Sequence, residues 1–121
     1  MALKLYKEFF FEAAHFLPSA PSGHPNARIH GHSFRLRVTL QGDPDPQTGL
    51  LMHLGDIVAA IQPILDQLDH HLLNEVEGLE VATLENVVRW IWARAKPQLP
   101  PLCEIAVSRD SCMEGCIYSG E

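Results

Sequence analysis

His30-Gly31-His32 sets two imidazoles two residues apart, and a third imidazole stands upstream at His15. On an extended strand, residues two apart project to the same side, so His30 and His32 face one way. Gly31 between them leaves room for a close approach. With His15 ending an earlier extended segment, three imidazoles can converge on one ion without a fourth protein ligand. That donor set is the pattern of a catalytic zinc site, whose open position takes water or substrate. The spacing also admits iron, nickel or copper, which imidazole suits as well. A lone histidine is more simply a surface or capping residue; this arrangement asks for a metal.

A second constellation is Asp69-His70-His71. It closes a predicted helix, and histidines in a last helical turn meet the negative end of the helix dipole favourably. The residues alone therefore leave capping and proton transfer both open. Thr83 reads as a helix cap, and Asp110, near a strand end, as a solvated carboxylate. Cys112 and Cys116 are four apart, with turn or core packing the default.

The elements that must position these groups follow from periodicity. Leu3 to Phe16 alternates as a strand, with Leu5, Phe9 and Phe11 on one side. A Pro, Ser and Gly-rich loop runs from Pro18 to Ala27. Ser33 to Gln41 is the clearest strand: Phe34, Leu36, Val38 and Leu40 alternate with Arg35, Arg37 and Thr39, and His30-Gly31-His32 opens it. Gly42 to Gly49 is a turn, and Leu50 to Met52 is expected to return as a short strand. Leu54, Ile57, Val58, Ile61, Leu65 and Leu68 recur at helical spacing, with a kink expected at Pro63. Thr83 caps a second helix carrying Leu84, Val87, Val88, Ile91 and Trp92, which Pro97 ends. Strands are expected at Leu102 to Ser108 and Gly115 to Tyr118. Strands, two helices, then strands make an α+β fold with both helices on one sheet face.

Composition bounds the function classes. With 121 residues and 46% hydrophobic content, residues 1–121 suit one domain with a real core. A net charge of -6 and scattered basic residues argue against a nucleic-acid partner. No apolar run approaches the roughly 20 residues of a membrane helix. The opening MALKLYKEFFFEAAHF lacks the layout of a secretion signal, and the odd set Cys103, Cys112 and Cys116 is a poor disulfide framework. A cytoplasmic location is expected.

FEAAH (Phe11 to His15), Gly23-His24, RIHGHSF (Arg28 to Phe34), LDHHLLN (Leu68 to Asn74) and GCIYSGE (Gly115 to Glu121) together resemble one family. It is the 6-pyruvoyl-tetrahydropterin synthase family, and within it the 6-carboxytetrahydropterin synthase branch of queuosine biosynthesis. The resemblance runs over essentially the whole chain, with the motifs in the same order. It implies the tunnelling fold, a four-stranded antiparallel sheet with two helices on one face. It implies a homo-oligomer, tetramer or hexamer, with active sites between subunits. It implies a lyase acting on a small-molecule pterin, dihydroneopterin triphosphate. By position, His15, His30 and His32 match the zinc ligands, one Zn2+ per subunit, and Asp69 and His70 match a proton relay. Asp110 falls where the family has a glutamate that grips the pterin ring, and Thr83 falls in the loop bordering that pocket.

Departures from the family pattern gather round the same pocket. Asn26 stands where the family carries a cysteine that serves as general base. A neutral amide cannot accept a proton near pH 7, whereas a thiolate can. Asp110 is shorter than the family's glutamate, and His53 stands where relatives have aspartate. The base then falls to His24, His70, Cys112 from a neighbouring segment, or zinc-bound hydroxide. Two rivals to the full lyase are a different pterin reaction and pterin or metal binding without turnover.

Overall fold

The computed structural model describes residues 3–120. Two long strands, β1 (Leu3–His15) and β2 (His30–Gly42), form an antiparallel ribbon in register from Leu3 opposite Gly42 to His15 opposite His30. β4 (Leu102–Arg109) adds antiparallel to β2, and β5 (Glu114–Tyr118) antiparallel to β4. β3 (His71–Leu72) lies parallel to β1 at Ala13 and Ala14, giving the order β3-β1-β2-β4-β5. The expected four-stranded antiparallel sheet is thus corrected to a mixed sheet of five strands. The addition is two residues long, too short to leave a periodic signature.

Alternation along the strands sorts the side chains into two faces. Phe11, Phe34, Leu36, Val38, Ile105 and Val107 are buried on one face. That face packs against α1 (Leu54–Asp66), through Ile57, Ile61 and Leu65, and α2 (Leu84–Ala95), through Val87, Val88 and Ile91. Phe11 and Phe34 stack across β1 and β2 with ring centroids 4.9 Å apart. The other face carries Glu8, Arg35 and Arg37 in an ion-pair network, with Tyr6 and Phe10 exposed.

Three further expectations shift. Leu50 to Met52 forms no strand. Asp45 instead organises a tight turn, its side chain accepting from the backbone N–H groups of Gln47 and Thr48, and Leu51 packs on the core. α1 ends at Asp66, so Leu68 is buried in the following turn rather than in the helix. His70 and His71 therefore lie beyond the helix, and His70 takes a left-handed φ of 60°. The dipole reading of those two histidines does not hold. His53 precedes α1 without a side-chain capping bond, whereas Thr83 caps α2 by accepting from Asn86 N–H.

Candidate metal centre and flanking clefts

The β1–β2 register builds the site. His15 stands opposite His30, and His32 stands opposite Ala13 on the same face. That face continues the Phe11–Phe34 row, so the trio caps one end of the core. Ring centroids are 4.6 Å for His15–His30, 4.8 Å for His30–His32 and 5.1 Å for His15–His32. Their ligating atoms all lie within 4.8 Å of one another. An ion about 2.1 Å from each nitrogen in tetrahedral geometry needs nitrogens roughly 3.4 Å apart.

Hydrogen bonds pre-set the rings. His15 Nδ1 donates to the carbonyl of Ala82 at 2.8 Å, and His30 Nδ1 to the carbonyl of Arg28 at 2.8 Å. Each bond fixes the tautomer that leaves Nε2 as a lone pair, the usual outer support of a metal-bound imidazole. His15 Nε2 and His32 Nε2 are buried without a partner. An orphaned buried acceptor is unfavourable unless something binds it, so the donor set fits a metal ion.

Electrostatics agree. Burial pushes the pKa of His15 down, with the positive charges of His30 and Arg109 adding to it against the Ala82 bond. His32 is pushed down to about 4, first by burial and then by Arg109, His15 and His30. Both rings are neutral at pH 7, as metal ligands must be.

Two clefts flank this end of the sheet. One, of about 490 Å³, is bordered by Glu12, Ser33, His32 and His70. Here the Asp69 carboxylate holds His70 Nδ1 at 3.0 Å through one oxygen and accepts from Glu12 N–H at 2.9 Å through the other. The Glu12 bond and then His70 hold the Asp69 pKa below its ordinary value. His70 is 77% exposed, so its Nε2 is free to meet a ligand. Glu12 and Ser33 alternate away from the trio, so this cleft opens toward the face that the helices leave uncovered.

The second cleft, of about 310 Å³, is lined by His15, Thr83, Glu85, Arg109 and Glu114 among others. Asp110 does not line it. Its carboxylate accepts from Arg35 Nη2 at 2.9 Å and Ser108 Oγ at 3.1 Å, which holds its pKa down. The residue turned toward the trio is its neighbour Arg109, which reading from sequence missed. Alternation of Ile105, Val107 and Arg109 along β4 was the signal that could have found it. Asn26 lies in the turn Pro25–Ala27, its carbonyl accepting from Leu17 N–H, and borders neither cleft. His24 Nδ1 accepts from Asn26 N–H.

Comparison with known proteins bears on all of this. The sequence model described as 6-pyruvoyl tetrahydropterin synthase matches residues 4–121. A 6-carboxy-5,6,7,8-tetrahydropterin synthase from Synechocystis sp. is 35% identical over 119 residues, spanning 94% of this chain and 91% of that protein. The 6-pyruvoyl tetrahydrobiopterin synthase of Homo sapiens is 33% identical over 101 residues, spanning 80% of this chain and 68% of that one. In structure, the 6-pyruvoyl tetrahydropterin synthase of Caenorhabditis elegans superposes with a TM-score of 0.89 at 24% identity, covering 100% of this chain and 97% of that one. The sheet and two helices are the tunnelling fold, and the chain belongs to the 6-pyruvoyl tetrahydropterin synthase family.

Proposed function

We propose that this chain is a zinc-dependent lyase of the 6-carboxytetrahydropterin synthase type, acting on 7,8-dihydroneopterin triphosphate in queuosine biosynthesis in the cytoplasm. The observation that carries the reading is the trio His15, His30 and His32, with His15 and His30 oriented by backbone carbonyls and the Nε2 atoms of His15 and His32 buried without a partner. Support comes from the Synechocystis relative, whose name is that of this synthase. Zinc on the trio would supply Lewis acidity toward the hydroxyls of the pterin side chain.

The other roles fall to the chain's own groups. His70 moves protons at Nε2, its Nδ1 held by Asp69, which fixes the ring's orientation. Thr83 borders the ligand cleft at the N-terminus of α2. Asp110 accepts from Arg35 and Ser108 through one oxygen and is half-exposed, and its carboxylate keeps the pterin-gripping role that the resemblance gives it. Asn26 is neutral and abstracts no proton, so the base is His70, whose free nitrogen is exposed. The dyad borders the helix-free face while the trio faces the helices, which suits sites completed between subunits. Exposed Phe10, Tyr6 and Ile117 give that face the apolar character of a surface covered in a homo-oligomer, tetramer or hexamer.

Asn26 favours a second reading, a paralogue with altered pterin chemistry or binding without turnover. Zinc-loaded protein incubated with dihydroneopterin triphosphate separates the two. Acetaldehyde released at enzymatic rates supports the synthase; a different pterin product, or tight binding with none, supports the alternative.

A further inference from the structure

Asp110 is one methylene shorter than a glutamate, and its carboxylate does not stand free. Arg35 Nη2 donates to Oδ1 at 2.9 Å, and Ser108 Oγ donates to the same oxygen at 3.1 Å. Ser108 is the β4 residue paired with Arg35, so the strand register brings both donors to one carboxylate. Among the described residues, no hydrogen bond engages Oδ2, and the side chain is half-exposed.

Arg35 is held from its other side as well. Its Nη1 donates to Glu8 Oε2 at 3.3 Å, and Arg37 Nε donates to that same oxygen at 3.0 Å. Arg37 in turn lies over the Tyr6 ring, 4.3 Å from its centroid. A guanidinium forked between two carboxylates is fixed in a way that a lysine ammonium does not reproduce. Two carboxylates and two guanidiniums balance in charge, so what Oδ2 offers a ligand is a hydrogen bond rather than a net charge.

We propose that Arg35 is a positioning residue: by holding Oδ1 of Asp110, it presents Oδ2 to an N–H donor on the ligand's ring. The inference rests on the proposed pterin grip by Asp110 and adds the residue that makes the shortened side chain serve it. An unrestrained carboxylate must be ordered as the ligand arrives, and Arg35 meets that cost beforehand. The contact lies on the helix-free face, toward which the Asp69–His70 cleft also opens, so the grip needs no contact with the trio of the same chain. Were Arg35 only a competitor for Asp110, its removal would tighten ligand binding; positioning gives the opposite sign.

Neopterin, with its ring fully oxidised, reports binding by its own fluorescence without turnover. The zinc-loaded chain is titrated with it and with the matching lumazine, which has a 2-oxo acceptor where the pterin has an amino donor. Wild type is expected to prefer neopterin roughly tenfold or more. Arg35→Met weakens neopterin about fivefold, the upper range of an exposed ion pair, and leaves lumazine within about twofold. Arg35→Lys, which can still pair with Asp110, falls between the two. In an Asp110→Asn background, where neopterin is already weakened, Arg35→Met adds nothing further. Neopterin that binds through Asp110 but ignores Arg35→Met, tightens with it, or weakens in step with lumazine overturns the positioning role alone. Neopterin that fails to bind wild type, or binds Asp110→Asn equally well, sinks the pterin grip and this inference with it.

Discussion

His15 Nδ1 donates to the carbonyl of Ala82 at 2.8 Å, so the end of β1 is tied to the loop that launches α2. This bond orients the most buried ring of the trio, 1% exposed, before any ion arrives.

A pre-set trio should hold its ion through purification, and no two of its members should suffice. Wild-type protein should carry about one zinc per chain by elemental analysis, and His32→Ala only a trace. Equal zinc in both proteins would place the metal elsewhere.

The lowered histidines set a pH dependence. His15 and His32 lie below the ordinary 6.5 when folded, His32 at about 4. As pH falls below about 6.5, the unfolded chain takes up protons that these folded rings refuse, so metal-free stability declines from there toward pH 4. Above pH 6.5 both states are neutral at these positions and the contribution is complete. Thermal melts of metal-free protein should show Tm falling across that window, and falling less in His32→Asn. A variant with the wild-type slope would refute the cause.

Asp69→Asn removes the charge that orients His70 and leaves an amide oxygen for Glu12 N–H. Turnover should fall about 10- to 100-fold with zinc content unchanged, comparable to losing a supporting partner. Loss of zinc alongside activity would instead mark the pair as part of the metal site's scaffold.

Asn26→Cys restores an acid–base group without touching the turn, since Asn26 is held there by its backbone. With His70 as the proposed base and position 26 outside both clefts, turnover should stay within about twofold of wild type; a rise of roughly tenfold or more would overturn His70 as the base.

Phe34 is 1% exposed, stacks on Phe11 and lies 5.7 Å from His32 between ring centroids. Phe34→Ala should destabilise the protein by about 3–5 kcal/mol, and zinc affinity should drop with it. Denaturant unfolding of metal-free protein measures the first; a loss below about 1 kcal/mol would contradict a packed floor beneath the trio.

Much of this was legible from residue order. The alternation of Phe34, Leu36, Val38 and Leu40 fixed β2, and with it the shared face of His30 and His32. Thr83 announced its cap by residue type. What escaped detection depended on single-residue steps. Asp110 and Arg109 are adjacent, and one step along a strand reverses the face. The carboxylate therefore went to Arg35 and the guanidinium to the cleft. β3 escaped because two residues hold no period, and its pairing with Ala13 and Ala14 is purely long-range. The carbonyls of Ala82 and Arg28 are backbone groups, to which side-chain identity gives no clue.

His70 sits at φ 60° with its ring almost wholly in solvent. L-residues avoid that conformation and glycine accepts it freely. A His70→Gly chain should therefore melt higher than wild type while losing its proton carrier. Beyond its bond to Asp69, the imidazole at this bend offsets little of that backbone cost, which is what the proposed proton-carrying role requires.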